Sequence, residues 1–435
     1  MRFLRSTAQT FISSVFRSFV SLLIAIVTSR LLGPEGNGVV GVANNFLFFA
    51  TLILGFGMST SSTFFAAKRQ QNLGKIVANN IAIALLTLVV LVPFYFLNAH
   101  FHFGFLKGLN NTIVFLLLLI TPVSNLSLAL ISIFLGLQNI AQYNRLSLID
   151  KILNFLLLLI LVLIARNPTA AIVATLVENI LVCFLAFRLL KFKYRYRIRM
   201  SVKQLRHMLT YGIKAQIGNV IQMLNYRLDV FVINYFLPIS QVGIYAIAVS
   251  LAETIWKITG SIAIMAFPMA SAASSKKDTS VFLNRVTRIS VVLITVFALF
   301  LALICKVLIL LLFGKKFSGA VAALLWLLPG VAVYSVANIL ANYLAGVNHV
   351  EKNIFSATVS CVITVVLDLI LIPRMGINGA SIATSISYTI YTVITVFNYT
   401  RCTGSRLRDV LVVRKEDVVL VVRTVVLRFM VSFPE

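Results

Sequence analysis

The sequence predicts an all-α polytopic membrane protein, with about 12 transmembrane helices as two six-helix pseudo-symmetric bundles around a central cavity. Three observations lead there. Of 435 residues, 60% are hydrophobic and only 11% charged, a balance unsuited to a water-soluble domain. Apolar runs of about 20 residues, enough to cross ~30 Å of hydrocarbon, recur along the whole chain. The second half also repeats the layout of the first, at an offset of about 200 residues.

The first two spans lie near 11–32 and 38–65, separated by the turn Arg30-Leu-Leu-Gly-Pro34. The first is too long for a cleaved signal peptide, carries Arg17 mid-run and lacks a small-residue cleavage site. Spans three to six follow near 77–97, 112–135, 146–165 and 170–190, with a short loop at 98–111. A basic linker, 191–207, leads to spans near 210–236, 241–269, 287–312, 318–346, 354–373 and 376–400. All are too long and too evenly apolar for strands of a membrane barrel. The tail after 400 has one apolar stretch, Val418–Val422, interrupted on both sides by charges, and reads as a basic cytoplasmic segment.

Of 38 Lys and Arg, only Arg30, Lys107, Arg166, Lys315, Lys316 and Arg374 fall on the loops of one side. The other side carries the linker, the tail and most of the rest. The positive-inside bias therefore puts both termini of a multi-pass membrane protein in the cytoplasm. It also accounts for the formal net charge of +26 without nucleic acid. The run Lys191-Phe-Lys-Tyr-Arg-Tyr-Arg-Ile-Arg199 joins two spans, where anionic headgroups of membrane lipids are its expected partners.

The repeat assigns 1–190 to an N-terminal bundle, 191–207 to the linker, 208–400 to a C-terminal bundle and 401–435 to the tail. Arg30-Leu-Leu-Gly-Pro34 through Gly38 answers Asn234-Tyr-Phe-Leu-Pro238 through Gly243. Six spans per half keep both halves in the same orientation, so they relate by an axis along the membrane normal. The first and seventh spans are then pseudo-equivalent, and together with the eighth they hold six charged residues: Arg17, Lys214, Arg227, Asp229, Glu253 and Lys257.

A charge in hydrocarbon costs several kcal/mol, so it persists where it faces a partner, water or a substrate. Four cations against two anions point to an anionic cargo. Arg17 shares a helix face with Ser14 and Ser21, roughly 9 Å from the inner end. Lys214, Gly218, Gln222, Asn225 and Asp229 form a polar stripe on the seventh span. Arg17, Lys214, Gln222, Asn225, Arg227 and Lys257 are the candidates for binding that anionic cargo. Arginine's planar fork suits phosphate, and lysine acts as a mobile point charge. Asp229, Glu253, Glu178 and Asp368 are candidates for coupling or charge balance. Simpler readings exist: Glu253 and Lys257 are spaced to pair with each other, Lys214 to snorkel, and Asp368 to pair with Arg374.

Ser29-Arg-Leu-Leu-Gly-Pro-Glu-Gly-Asn-Gly38 and Ile372-Pro-Arg-Met-Gly-Ile-Asn-Gly-Ala-Ser-Ile-Ala-Thr384 resemble turns of the bacterial polysaccharide repeat-unit (O-antigen, capsule, exopolysaccharide) flippases of Wzx type. That family lies within the multidrug/oligosaccharidyl-lipid/polysaccharide exporter superfamily. The resemblance covers about residues 5–400 as hydropathy and repeat layout, with specific residue patterns only at these two turns. It implies two six-helix bundles, alternating access and transfer of an undecaprenyl-diphosphate-linked oligosaccharide to the outer leaflet, with other polysaccharide-assembly proteins as partners. The related lipid II flippases usually carry fourteen spans, which argues against lipid II as cargo.

An ion-coupled multidrug exporter of the same superfamily is the alternative, disfavoured because cationic drugs call for acidic cavities. A non-transport scaffold for polysaccharide assembly would tolerate loss of every cavity charge. No enzyme motif emerges: neither G-x-x-x-x-G-K-[ST] nor H-E-x-x-H occurs, and the 98–111 loop is short for a polymerase or ligase. No cofactor is expected. Cys183, Cys305, Cys361 and Cys402 lack metal-ligand spacing, and His100 and His102 stand without a carboxylate or cysteine nearby.

Overall fold

A helix that begins in an apolar environment leaves its first backbone N–H groups without water, and short polar side chains supply the missing acceptors here. The computed structural model describes residues 2–68, 72–101, 103–256, 276–412, 414 and 416–417. Asn110 caps α4 (Asn111–Gly136), accepting from the Ile113 amide at 2.8 Å. Asn139 caps α5 (Ile140–Ala165), and Asn167 caps α6 (Pro168–Tyr194), where proline sits in the first turn. Ser201 caps α7 (Val202–Phe236) in the same way.

The first two spans emerge as one helix, α1 (Arg2–Leu54), kinked at Gly33 and Pro34. Gly33 takes φ of 68°, which lets the chain change direction where proline removes an amide donor. The expected second span does not continue to 65. It stops at Gly55-Phe56-Gly57, with Phe56 and Gly57 at positive φ, and α2 (Met58–Lys68) starts afresh. The cause is a close crossing: a Cβ on Gly57 would overlap the Gly212 carbonyl, and one on Gly212 the Phe56 carbonyl. The Gly-Phe-Gly sequence carried this signal.

After α3 (Leu73–Phe101) and α4–α7 come α8 (Ile239–Ala252), α9 (Lys276–Leu312), α10 (Ala320–Gly346), α11 (Val350–Met375), α12 (Ile377–Thr403) and the short α13 (Leu407–Leu411). Among the described residues there are helices and no strand. Ten described stretches are long and apolar enough to cross a membrane. The first of these, Ser13–Leu54, covers both arms of the kinked α1. α7 is not among the ten because of its polar stripe, although its 35 residues extend about 52 Å. Counting it and both arms of α1, about twelve spans result, an all-α polytopic membrane protein. The eighth span is described only as far as Trp256; its expected remainder to 269 lies outside the described residues.

Two compact units divide the chain: residues 1–247 with 312–317, and 248–311 with 318–435. This division differs from that of the repeat, because α7 and the start of α8 pack with α1–α3. In the first unit, α4 packs against α2, α3 and α6, around Ile76, Leu130, Phe134, Leu146 and Val182. The linker is tied to this unit: Arg199 donates its amide to the Gly74 carbonyl, and Tyr196 packs on the core. Burial pushes the Tyr196 hydroxyl up to about 12, so its ring is an anchor and not an exposed stacking surface.

In the second unit, α10 and α11 both pack on α12. Small polar residues seal the contact: Ser360 donates to the Ser387 carbonyl at 2.9 Å, as expected where helices approach closely inside a membrane. Tyr334, Tyr388 and Tyr391 form a buried aromatic group with Trp256 beside it. The first part of the tail packs back on this unit. Tyr399 donates to Asn284 at 2.8 Å, Asn284 to Ser405 at 3.0 Å, and Val410 is buried with Leu283 and Tyr343. Large apolar side chains such as Val89, Ile164 and Leu303 stay exposed, as a lipid-facing surface requires.

Candidate functional site

The polar stripe of α7 is the backbone of the candidate site in the first unit. Asn225 and Asp229 are buried, Gln222 and Arg227 half-buried, and Lys214 exposed, so polarity runs from the core of the unit to its basic end. Asp229 has a partner that the sequence did not reveal: Tyr245 on α8 donates to Oδ2 at 2.5 Å, and the Val230 amide to Oδ1 at 2.8 Å. A buried carboxylate needs such donors to remain in the interior.

Arg17 is half-buried in α1, beside exposed Ser14 and Ser21, and makes no ion pair among the described residues. Lys257 lies outside the described residues, and with it the expected pairing to Glu253. Glu253 is half-buried in the last turn before Trp256, whose amide bonds to its carbonyl at 3.1 Å. Glu178 is buried on α6, with Asp150, Lys151 and Asn154 of α5 around it, and accepts from Asn179 at 2.9 Å. Asp150 and Lys151 form an ion pair at 3.6 Å. Asp368 is fully buried on α11, whereas Arg374 is exposed and makes no ion pair; the simple pairing of these two does not form.

The two pseudo-equivalent turns meet each other. A Cβ on Gly38 would overlap the Ile239 carbonyl, and one on Gly243 the Pro34 carbonyl. Asn37 donates to the Gly243 carbonyl at 2.9 Å, and Thr28 donates to Asn37 at 3.2 Å. The glycines that mark the repeat therefore permit a backbone-to-backbone crossing. Beside it, Arg30 donates to the Leu312 carbonyl at 2.8 Å and lines a cavity of about 320 Å³ with Lys315 and Lys316.

At the other end of α7 a larger cavity, about 650 Å³, opens between α2 and the first turns of α7. Lys203, Arg206, His207 and Lys214 line it together with Phe65 and Tyr211. Of these only Lys214 was singled out from sequence. Lys203, Arg206 and His207 escaped because they fall inside the predicted 191–207 linker, whose charge the orientation rule already explained. Their spacing of three and four residues was the available signal.

Residues 27–322 match the family described as "Polysaccharide biosynthesis protein". Over 205 residues the chain is 28% identical to the "Probable low-salt glycan biosynthesis flippase Agl15" of Haloferax volcanii, covering 45% of this chain and 42% of that one. Over 196 residues it is 26% identical to "Uncharacterized membrane protein MJ1068" of Methanocaldococcus jannaschii, covering 44% and 39%. The alignments thus span less than half the length of these relatives. In fold, the chain is similar to the lipid II flippase MurJ in an inward closed conformation, with TM-score 0.77 at 15% identity over 98% of this chain and 93% of that one. It is also similar to an inward-facing multidrug resistance MATE transporter of the MOP superfamily, with TM-score 0.72 at 14% identity over 89% and 94%. The chain belongs to the polysaccharide biosynthesis protein family and has the fold of the multidrug/oligosaccharidyl-lipid/polysaccharide exporter superfamily.

Proposed function

We propose that this protein is a flippase that carries a polyprenyl-diphosphate-linked oligosaccharide from the cytoplasmic to the outer leaflet by alternating access, for surface polysaccharide synthesis. The observation that carries the reading is Arg17: a guanidinium half-buried in an apolar helix, on a serine-bearing face, without an ion pair among the described residues. Such a charge is retained where an anion visits it. The family and the similarity to Agl15 support a glycan carrier over an enzyme.

In this reading Arg17, Lys214, Arg227 and Lys257 share the diphosphate along its route, Gln222 and Asn225 bond the glycan, and the prenyl tail stays in lipid. Asp229, Glu253, Glu178 and Asp368 balance charge or bind a coupling ion. Both termini face the cytoplasm of a bacterial cell, the carrier is undecaprenyl diphosphate, and polysaccharide-assembly proteins receive the product.

The test is proteoliposome transport of a fluorescent prenyl-diphosphate oligosaccharide by wild type and by the Arg17→Ala/Lys257→Ala double variant. We expect a rate lower by at least about tenfold. An unchanged rate at equal protein content would remove the site assignment. The fold likeness to a MATE transporter favours a second reading, export of a small cationic compound. Gradient-driven ethidium transport without glycan-lipid transport would select it.

A further inference from the structure

The basic cavity at the start of α7 has a composition that membrane orientation alone does not require. Lys203, Arg206, His207, Tyr211 and Lys214 fall within about three turns of α7, over about 16 Å of helix, and line one cavity. None of the four basic side chains makes an ion pair or side-chain hydrogen bond among the described residues, and no acidic side chain lines the cavity. Like charges held together without compensation repel one another, an arrangement that an arriving anion relieves. The orientation rule asks only that cations lie on one side of the membrane. The exposed Lys191, Lys193 and Arg195 already meet it from an open surface.

Aromatic rings line the same cavity beside the cations. Phe65 of α2 and Tyr211 of α7 contribute them, Phe64 stacks on Tyr211 at 4.2 Å between ring centroids, and the Lys68 ammonium sits 4.7 Å above the Phe64 ring. A site that combines cations with aromatic rings suits an amphiphile: a phosphate group followed directly by an apolar chain. A free inorganic phosphate would leave the aromatic rings unused. At about 650 Å³ the cavity has the size of an ordinary small-ligand site. Lys214, at its inner edge, is also the first residue of the stripe that continues to Gln222, Asn225 and Arg227.

We infer that this face of α7, with Phe65 and Tyr211, is the loading dock for the phosphate headgroup and first prenyl unit of the cargo lipid before transport. The inference rests on the flippase reading for the identity of the cargo. The site itself stands on its own geometry.

The experiment uses the full chain in nanodiscs of phosphatidylcholine, titrated calorimetrically with farnesyl diphosphate. Inorganic pyrophosphate is titrated separately, and nanodiscs containing phosphatidylglycerol form a third arm. Two triple variants remove equal charge: Lys203→Gln/Arg206→Gln/Lys214→Gln at the dock, and Lys191→Gln/Lys193→Gln/Arg195→Gln on the linker. The dock variant should bind farnesyl diphosphate at least about tenfold more weakly, with the linker variant within about twofold of wild type. Pyrophosphate should bind more weakly than farnesyl diphosphate, and phosphatidylglycerol should not displace it. Equal losses in the two variants, or no loss in either, would overturn the dock. Displacement by phosphatidylglycerol would assign the cavity to bulk anionic lipid and overturn the cargo assignment. A dock variant that binds normally while wild type transports the glycan lipid sinks only the dock. A wild type that binds at these residues but transports no glycan lipid sinks only the flippase reading.

Discussion

Substituting Asp417 by asparagine should release the first part of the tail from the second unit. Asp417 is 2% exposed and Arg288 7% exposed. The Arg288 Nε donates to Asp417 Oδ2 at 2.6 Å and its Nη2 to Oδ1 at 3.2 Å, a two-pronged pair. The third arm of the same guanidinium donates to the Asp409 carbonyl at 2.5 Å, and Arg414 closes the loop through Asp409 and Asp417. Removing one partner of a buried pair costs about 3–5 kcal/mol because the other charge remains behind. Asparagine keeps the shape and one acceptor, so the lower end, about 3 kcal/mol, is expected. That corresponds to an opening equilibrium more than about a hundredfold larger. Hydrogen exchange of the Asp409 and Val412 amides, which bond back to Arg406 and Arg408, reads it directly. Replacing both partners with leucine should restore much of the protection. The pH dependence has a definite sign. The Arg288 hydrogen bond holds the Asp417 carboxyl below its ordinary value, so docking is at full strength above pH 3.8 and fades as pH falls through the lowered value. Exchange that does not change in Asp417→Asn, or that accelerates equally throughout α10, would refute the clasp.

Three further outcomes follow from single contacts. Gly38→Ala and Gly243→Ala each place a methyl group on a carbonyl, so each should lower the detergent melting temperature by several degrees and slow transport. Because the glycines share one crossing, the double variant should cost less than the sum. Tyr245→Phe leaves a buried Asp229 oxygen without its donor and should cost about 1–3 kcal/mol in stability, whereas Tyr235→Phe, on an exposed ring, should cost almost nothing. Asn167→Ala removes the α6 cap from the Ala170 amide, worth about 1 kcal/mol in denaturant unfolding, with Asn167→Asp retaining most of it.

Most of the fold was legible because bilayer physics writes it in large letters. A run of twenty apolar residues in a bilayer admits few structures other than a helix. What escaped was decided by contacts between residues distant in sequence. The break at Gly55-Phe56-Gly57 exists because Gly212 crosses there, and a hydropathy window averages across it. The Tyr245 hydroxyl looked like one more aromatic among 13 tyrosines, and only the fold brings it to Asp229. The sequence drew attention to the apolar stretch beyond Asp417, which lies outside the described residues; among the described ones, Val410 docks together with a polar group, Asp409, Arg414 and Asp417 around Arg288. Charge composition signalled electrostatic surface there but gave no way to foresee the pair.

The glycine crossing and the basic cavity lie toward opposite ends of α7, and their contrast has a physical consequence. Gly38 and Gly243 cross backbone to backbone at the end of α7 that leads into α8. Backbone contact of that kind excludes water and cargo alike. At the start of the same helix, uncompensated cations line an open cavity. A helix sealed at one end and open and basic at the other has the polarity a one-sided carrier needs. Reversing access would then require the Asn37–Gly243 hydrogen bond to break before the cargo leaves. In the double variant Asn37→Cys/Gly243→Cys, whose reduced form already carries the cost of a side chain at Gly243, disulfide formation should abolish the remaining transport and reductant should restore it, while farnesyl diphosphate still binds at Lys203, Arg206 and Lys214.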